Sequence, residues 1–400
     1  MNLVESQVVN FLNSAIHGKK IEIEKDTYID WNKIIDELKA HKIEALVYSA
    51  IKKETFNNID KELLNKWKKG TFQSGVFQLN HIKQVESVLN LFNENNVPVI
   101  VLKGLVIRDL YPRPELRTMC DADILVHKED LDRVRELLIS IGYTETESSD
   151  VHLNFFRGAT HIEVHWIITK EHYFNEIPKL EEEIWENAVE VNIGNSKALS
   201  MGNEDLAMHL CLHMAAHLID RGFGIRQVCD LVLFVEQRGN DTNWDEFLQK
   251  VRLCGIETFS KIIFALSKEL FNMEIPTELQ CEIDKNVINA LADDIFSSGV
   301  HGKRDMASLF AKELAYDGNN KNDSVINKYM SFLFPQVDQM SEKYNYAKKN
   351  KLLTPVAWGH HLCAGVFNKD YSVKDKVKFA TSSVSISQKR NNLIKDLELK

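Results

Sequence analysis

The chain has 400 residues, 44% of them hydrophobic and 27% charged, with a formal net charge of -9. That balance excludes a disordered chain and disfavours a broad basic face for long nucleic acid, and the length calls for two or three packed units. With only 7 prolines and 17 glycines, the chain reads as mostly helical with short connections.

From Val4 to about Asn96 apolar residues recur at helical spacing, most clearly Ile82, Val85, Val88, Leu89 and Phe92. The asparagine-rich segment Asn93–Val97 ends that region, and the β-branched run to Leu102 predicts a buried strand. Lys103-Gly104 closes the strand, and Leu105–Leu110 predicts a short helix ending before Tyr111-Pro112-Arg113-Pro114. A second strand holds Asp121, Asp123 and Ile124-Leu125-Val126, followed by an amphipathic helix over Lys128–Ile141 that Gly142 stops. Leu153–Phe156 and His161–Ile168 predict a hairpin turned near Gly158. After about residue 178 almost everything is expected to be helical, including Glu204–Ile219, Ile225–Gln237, Trp244–Leu253 and Ile256–Leu270, with a polar loop at Gly318–Asp323. The lysine- and serine-rich stretch from Lys369 to Lys400 reads as a solvated tail or exposed helix. The expected organisation is an N-terminal helical region (1–96), an α/β core (97–177) and a C-terminal helical region (178–400).

Side chains alternate along a strand, so Asp121 and Asp123 share one face, with Ala122 between them facing the core. In His161–Trp166, Glu163 and His165 take the face opposite Ile162, Val164 and Trp166. If the two strands pair, a third carboxylate joins the first two, a set of hard oxygen donors suited to magnesium or manganese. A lone D-x-D is more often a solvated surface feature or a turn. Its context argues otherwise: Lys103-Gly104 sits at a strand–helix turn suited to a phosphate, and Arg117 lies four residues before Asp121.

The series Val101–Gly104, Leu116–Val126 and Ile162–Trp166 resembles the uncharacterised bacterial nucleotidyltransferase family within the DNA polymerase beta superfamily. The resemblance extends to Trp31 with His41–Leu46, to Asn203–His213, and to Phe334-Pro335, Tyr344 and Leu352–Trp358. It implies an α+β fold in which a small mixed sheet holds Asp121, Asp123 and Glu163. It also implies an NTP bound through magnesium and transfer of a nucleoside monophosphate to a small-molecule or peptide/protein acceptor. Two departures stand out. The superfamily's Gly-Ser turn reads Lys103-Gly104, and the glycine before the first aspartate is Cys120; neither removes a metal ligand.

His209, His213 and His217 share one helix face, and a straight row of imidazoles does not readily surround one ion. They are expected to line a groove against the sheet or to be satisfied by polar core partners. Lys103, Gly104, Arg117, His165, His209, His213 and Arg226 are the expected nucleotide-binding residues. Arg226 and Asp230, one turn apart, read equally well as a structural ion pair. Cys120, Phe155, Phe156 and Trp166 read as packing residues. The rival readings are a non-catalytic nucleotide-sensing or partner-binding module and a tRNA-modifying enzyme, the latter disfavoured by the acidic balance. Six cysteines without C-x-x-C spacing and a Met1–Glu5 start without a basic n-region predict a cytoplasmic chain with reduced thiols and no signal peptide. No uncharged apolar run reaches the ~18 residues that a membrane-spanning helix needs.

Overall fold

The computed structural model describes residues 1–23, 27–147, 149–170, 173–220, 222–299, 334–337, 344–366 and 388–399. The polar loop expected at 318–323 lies outside them, as do residues 369–387 of the expected tail.

Four helices open the chain: α1 (Leu3–Ile16), α2 (Trp31–Ala40), α3 (Glu44–Ala50) and α4 (Lys61–Glu94). The α4 helix runs 34 residues, started by the Asp60 side chain accepting from the amides of Glu62 and Leu63. It buries a stripe containing Gln78, His81, Val85, Val88, Leu89 and Phe92. It ends as expected in the asparagine cluster, where Asn96 takes a positive φ of 54°.

The sheet follows, with β1 (Ile100–Val101), α5 (Lys103–Ile107), β2 (Ala122–Leu125), α6 (Leu131–Ser140), β3 (Thr144–Glu145), β4 (His152–Arg157) and β5 (Thr160–His165). Beyond it lie α7 (Ile177–Glu186), β6 (Val189–Ile193) and β7 (Ser196–Ser200). The seven strands lie in the order β3-β4-β5-β2-β1-β7-β6. The β2–β5 and β1–β7 pairs are parallel and the others antiparallel, so the sheet is mixed. The expected α+β class holds. The expected C-terminal helical region is also present, but β6 and β7 interrupt it as an edge hairpin of the sheet past residue 177.

The C-terminal helices α8 (Asn203–Asp220), α9 (Ile225–Arg238), α10 (Trp244–Cys254), α11 (Glu257–Phe271) and α12 (Lys285–Ser298) pack on one another, and α8 and α9 also contact α5. One continuous apolar core runs from Val8 through Phe92, Ile124 and Phe234 to Leu397, so the three regions share their interior. Each fully buried Phe or Leu there contributes roughly 1.5–3 kcal/mol. The end of the chain departs from the solvated tail that its lysines suggested. Leu397 is fully buried, and Arg390, 2% exposed, pairs with Asp294 at 2.7 Å. No helix among the described residues is long and apolar enough to cross a membrane.

Candidate active site

The β2 and β5 strands pair in parallel with Ala122 opposite Ile162 and Asp123 opposite Glu163. Ala122, Ile124, Ile162 and Val164 are 0–1% exposed and fill the core side. Alternation therefore brings Asp121, Asp123, His161, Glu163 and His165 to the other face. The β4–β5 hairpin adds two more residues to that face, because its register sets His152 opposite His165 and Asn154 opposite Glu163. Its tight turn after Arg157 uses Gly158 at a φ of 59°, a conformation that glycine adopts without strain.

The charges on this face are unevenly balanced. Asp123 is 6% exposed, with Lys103 Nζ 2.9 Å from its Oδ2 and His165 Nε2 3.3 Å from its Oδ1. Burial alone would raise its pKa, but the Lys103 charge and the His165 hydrogen bond hold it well below the usual carboxylate range. Burial likewise opposes a charged His165, yet its contacts with Asp123 and Glu163 outweigh that and raise its pKa. Asp121 has no such hydrogen-bonding or ion-pair partner among the described residues. Burial and the charges of Asp123 and Glu163 push its carboxyl up to about 7. Lys103 and Arg226 offset this only in part, and an acidic face with one incompletely compensated carboxylate is suited to a bound cation.

Gly104 lies at the expected strand–helix turn, and Arg117 is engaged within the chain. Arg117 does not face an open phosphate site: its Nε and Nη2 meet the two carboxylate oxygens of Asp230 at 3.1 and 2.5 Å, and both residues are buried. Tyr111 Oη donates to the same carboxylate at 2.7 Å. Gly104 lies buried in the first turn of α5, where an added Cβ would come within 3.0 Å of Arg117 Nη1 and 3.1 Å of Met119 Sδ. The missing side chain there makes room for the guanidinium. Asp230 is thus paired with Arg117 and not with Arg226. Arg226 instead donates to the Thr118 carbonyl, while Gln78 Nε2 donates to the Met119 carbonyl at 2.8 Å. The segment leading into Asp121 is so held from α9 on one side and α4 on the other. Cys120 is exposed, contrary to the packing role expected of it. Phe155 is fully buried, as expected, whereas Phe156 is 38% exposed and stacks on His161.

The α8 histidine row does turn towards the carboxylates. His209 is 2% exposed. Burial first, then the Lys103 charge, push its pKa down to about 3, with Asp123 and His165 also acting on it. His213 is half-buried and shifted in the same direction by burial and Lys103. His81 of α4 is a further member that sequence reasoning missed. It is 1% exposed, and burial lowers its pKa against opposing effects from Asp121 and Asp123. Its signal was a histidine on the otherwise apolar stripe of Val85, Val88 and Phe92. His152 and His161 were also missed; strand alternation already put His161 beside Glu163, but His152 needed the hairpin register.

The donor set suits a divalent cation. Asp121, His161 and Glu163 each place one ligand atom within 4.8 Å of the others, and so do His152, Glu163 and His165. A family model described as uncharacterised nucleotidyltransferase matches residues 27–272, which takes in every residue of this face. Among solved structures the chain is similar to the antibiotic-resistance factor ANT(2'')-Ia in solution, at 10% identity and a TM-score of 0.32 over 43% of this chain and 90% of that one. It is also similar to the crystal structure of ANT(2'')-Ia in complex with adenylyl-2''-tobramycin, at 12% identity and a TM-score of 0.33 over 43% and 98%. No curated protein matches. Because the family match spans more than half of its length, the chain belongs to the uncharacterised nucleotidyltransferase family.

Proposed function

We propose that this chain transfers a nucleoside monophosphate from an NTP to a small-molecule or peptide/protein acceptor, with Asp121, Asp123 and Glu163 holding magnesium or manganese. The observation that carries the reading is the β2–β5 register, which sets Asp123 beside Glu163 with Asp121 on the same face. Magnesium bound there would neutralise phosphate charge and lower the pKa of the attacking hydroxyl. Lys103, at the N-terminus of α5, adds a positive charge next to the carboxylates for a phosphate oxygen. His209 and His213 close the site from α8 as neutral hydrogen-bonding groups. A bond forms between the acceptor oxygen and the α-phosphorus as the bond to pyrophosphate breaks. Pyrophosphate leaves with the electron pair, and the acceptor's proton passes to solvent.

The net charge of -9 argues against a long nucleic acid as acceptor. The five described cysteines are all free, in keeping with a cytoplasmic setting.

One observation favours a second reading, a non-catalytic nucleotide-binding module: Lys103 already neutralises Asp123 from within the chain. Incubating the protein with each labelled NTP, magnesium and a cell extract separates the two. Transfer requires a labelled product that Asp121→Asn abolishes. Saturable NTP binding with no labelled product under any nucleotide sinks the enzyme reading.

A further inference from the structure

Beside the carboxylate pair, two imidazoles converge on a single oxygen. His152 Nε2 lies 3.8 Å from Glu163 Oε2, and His165 Nε2 lies 3.5 Å from the same atom. The first distance is too long for a hydrogen bond. Ligand atoms bound to one ion at about 2.0–2.2 Å stand roughly 3.3–3.5 Å apart in a tetrahedral shell. The 3.5 Å separation matches that, the 3.8 Å one exceeds it by a few tenths, and all three ligand atoms lie within 4.8 Å of one another.

The arrangement follows from the backbone. His152 and His165 are cross-strand partners in the β4–β5 hairpin, and Glu163 lies two residues back along β5, so all three project from one face. The two rings lie 4.8 Å apart. Ser149 Oγ contacts His152 Nδ1 at 3.1 Å, and also accepts from the amides of Val151 and His152. That contact at Nδ1 leaves Nε2 as the nitrogen turned to Glu163, the usual way in which an outer contact orients a ligating histidine. The His152 and Glu163 side chains keep 20% and 18% of their surface exposed, which leaves an approach for an ion and for a further, non-protein ligand.

We propose that His152, Glu163 and His165 form a binding site for a zinc-class divalent cation, with chemistry distinct from that of a magnesium site. Two imidazoles and one carboxylate are a donor set of catalytic zinc sites with an open fourth position, whereas magnesium prefers oxygen ligands and retains its waters. Imidazole donors also favour later first-row cations in the Irving–Williams order. The proposal shares Glu163 with the functional reading above, and an ion there would displace the proton between His165 Nε2 and Asp123 Oδ1, but the two readings can fail separately.

The test titrates the chelator-stripped full chain with cobalt, a spectroscopic stand-in for zinc, in excess magnesium. The expected result is one equivalent bound with visible absorption, displaced by zinc and not by magnesium. His152→Asn should weaken cobalt binding by at least about tenfold, and Ser149→Ala by roughly tenfold through loss of ring orientation. His213→Asn should leave the affinity unchanged. The proposal is overturned if magnesium abolishes the signal, or if His152→Asn binds cobalt as the parent does. It is also overturned if His213→Asn removes the signal, which would put the ion on the α8 row. Circular dichroism checks the fold of each variant, and if His152→Asn unfolds, undiminished cobalt affinity in Ser149→Ala decides against the site. Label transfer from NTP is measured separately. Loss of transfer in Asp121→Asn with an intact cobalt spectrum keeps the two readings apart.

Discussion

Asp123 and Glu163 are register partners across the parallel β2–β5 ladder, yet the charge on Asp123 is already balanced by Lys103 and His165. The two aspartates of the D-x-D motif are therefore not equivalent. Asp123 is the anchored member and Asp121 the strained one, and their substitutions should behave differently.

Asp121→Asn is expected to abolish transfer while leaving stability unchanged or raised, since it removes a carboxyl that its neighbours push up to about 7. Asp123→Asn should also abolish transfer, but at a cost of about 1–3 kcal/mol, because it leaves Lys103 and His165 without their partner. Thermal unfolding beside a transfer assay checks both. Equal destabilisation by the two substitutions counts against this assignment.

The Asp121 shift has a pH signature in the metal-free protein. Between its ordinary value of 3.8 and about 7, the folded chain holds a proton that the unfolded chain does not. Stability from this group therefore rises as the pH falls through 7 towards 4. Asp121→Asn should remove that slope, read as melting temperature against pH.

His209 works in the opposite direction. Its pKa falls from 6.5 unfolded to about 3 folded, so below pH 6.5 the unfolded chain gains a proton that the folded chain refuses. The stability it contributes is present above 6.5 and is lost as the pH falls towards 3. His209→Asn should flatten this acid loss, as denaturant midpoints between neutral and acid pH would report. Any fall of activity in mild acid then has a source other than charging of His209, contrary to what an ordinary histidine suggests.

Arg117→Met should leave Asp230 buried without its ion-pair partner, though still hydrogen-bonded by Tyr111, at a cost of about 3–5 kcal/mol. The expectation is a stability defect in chemical denaturation, with the NTP affinity of the folded fraction little changed. A folded, stable variant with much weaker NTP binding would return Arg117 to the role of phosphate clamp.

Lys103→Met should weaken NTP binding by about 1.5–3 kcal/mol, the value of a charged hydrogen bond, as measured by calorimetry. Unchanged affinity would place the phosphates elsewhere.

What could be read from residue order was whatever depends on local periodicity. The period of two along 121–125 and 161–166 assigned Asp121, Asp123, Glu163 and His165 to faces before any pairing was known. Helical stripes, the asparagine stop after α4 and the turn at Gly158 were equally local. The β6–β7 hairpin was legible but missed: Val189, Val191 and Ile193 alternate with Glu190 and Asn192 before a Gly194-Asn195 turn, and only its place at the sheet edge needed the tertiary structure. Tertiary structure alone decided that β2 pairs with β5 in parallel, and so that two acids from separate motifs meet. It alone matched Arg117 with Asp230, Lys103 with Asp123, and His152 with Glu163. A charge in a sequence has no direction: it attracts every opposite charge, and only the packed core determines which one lies within 4 Å.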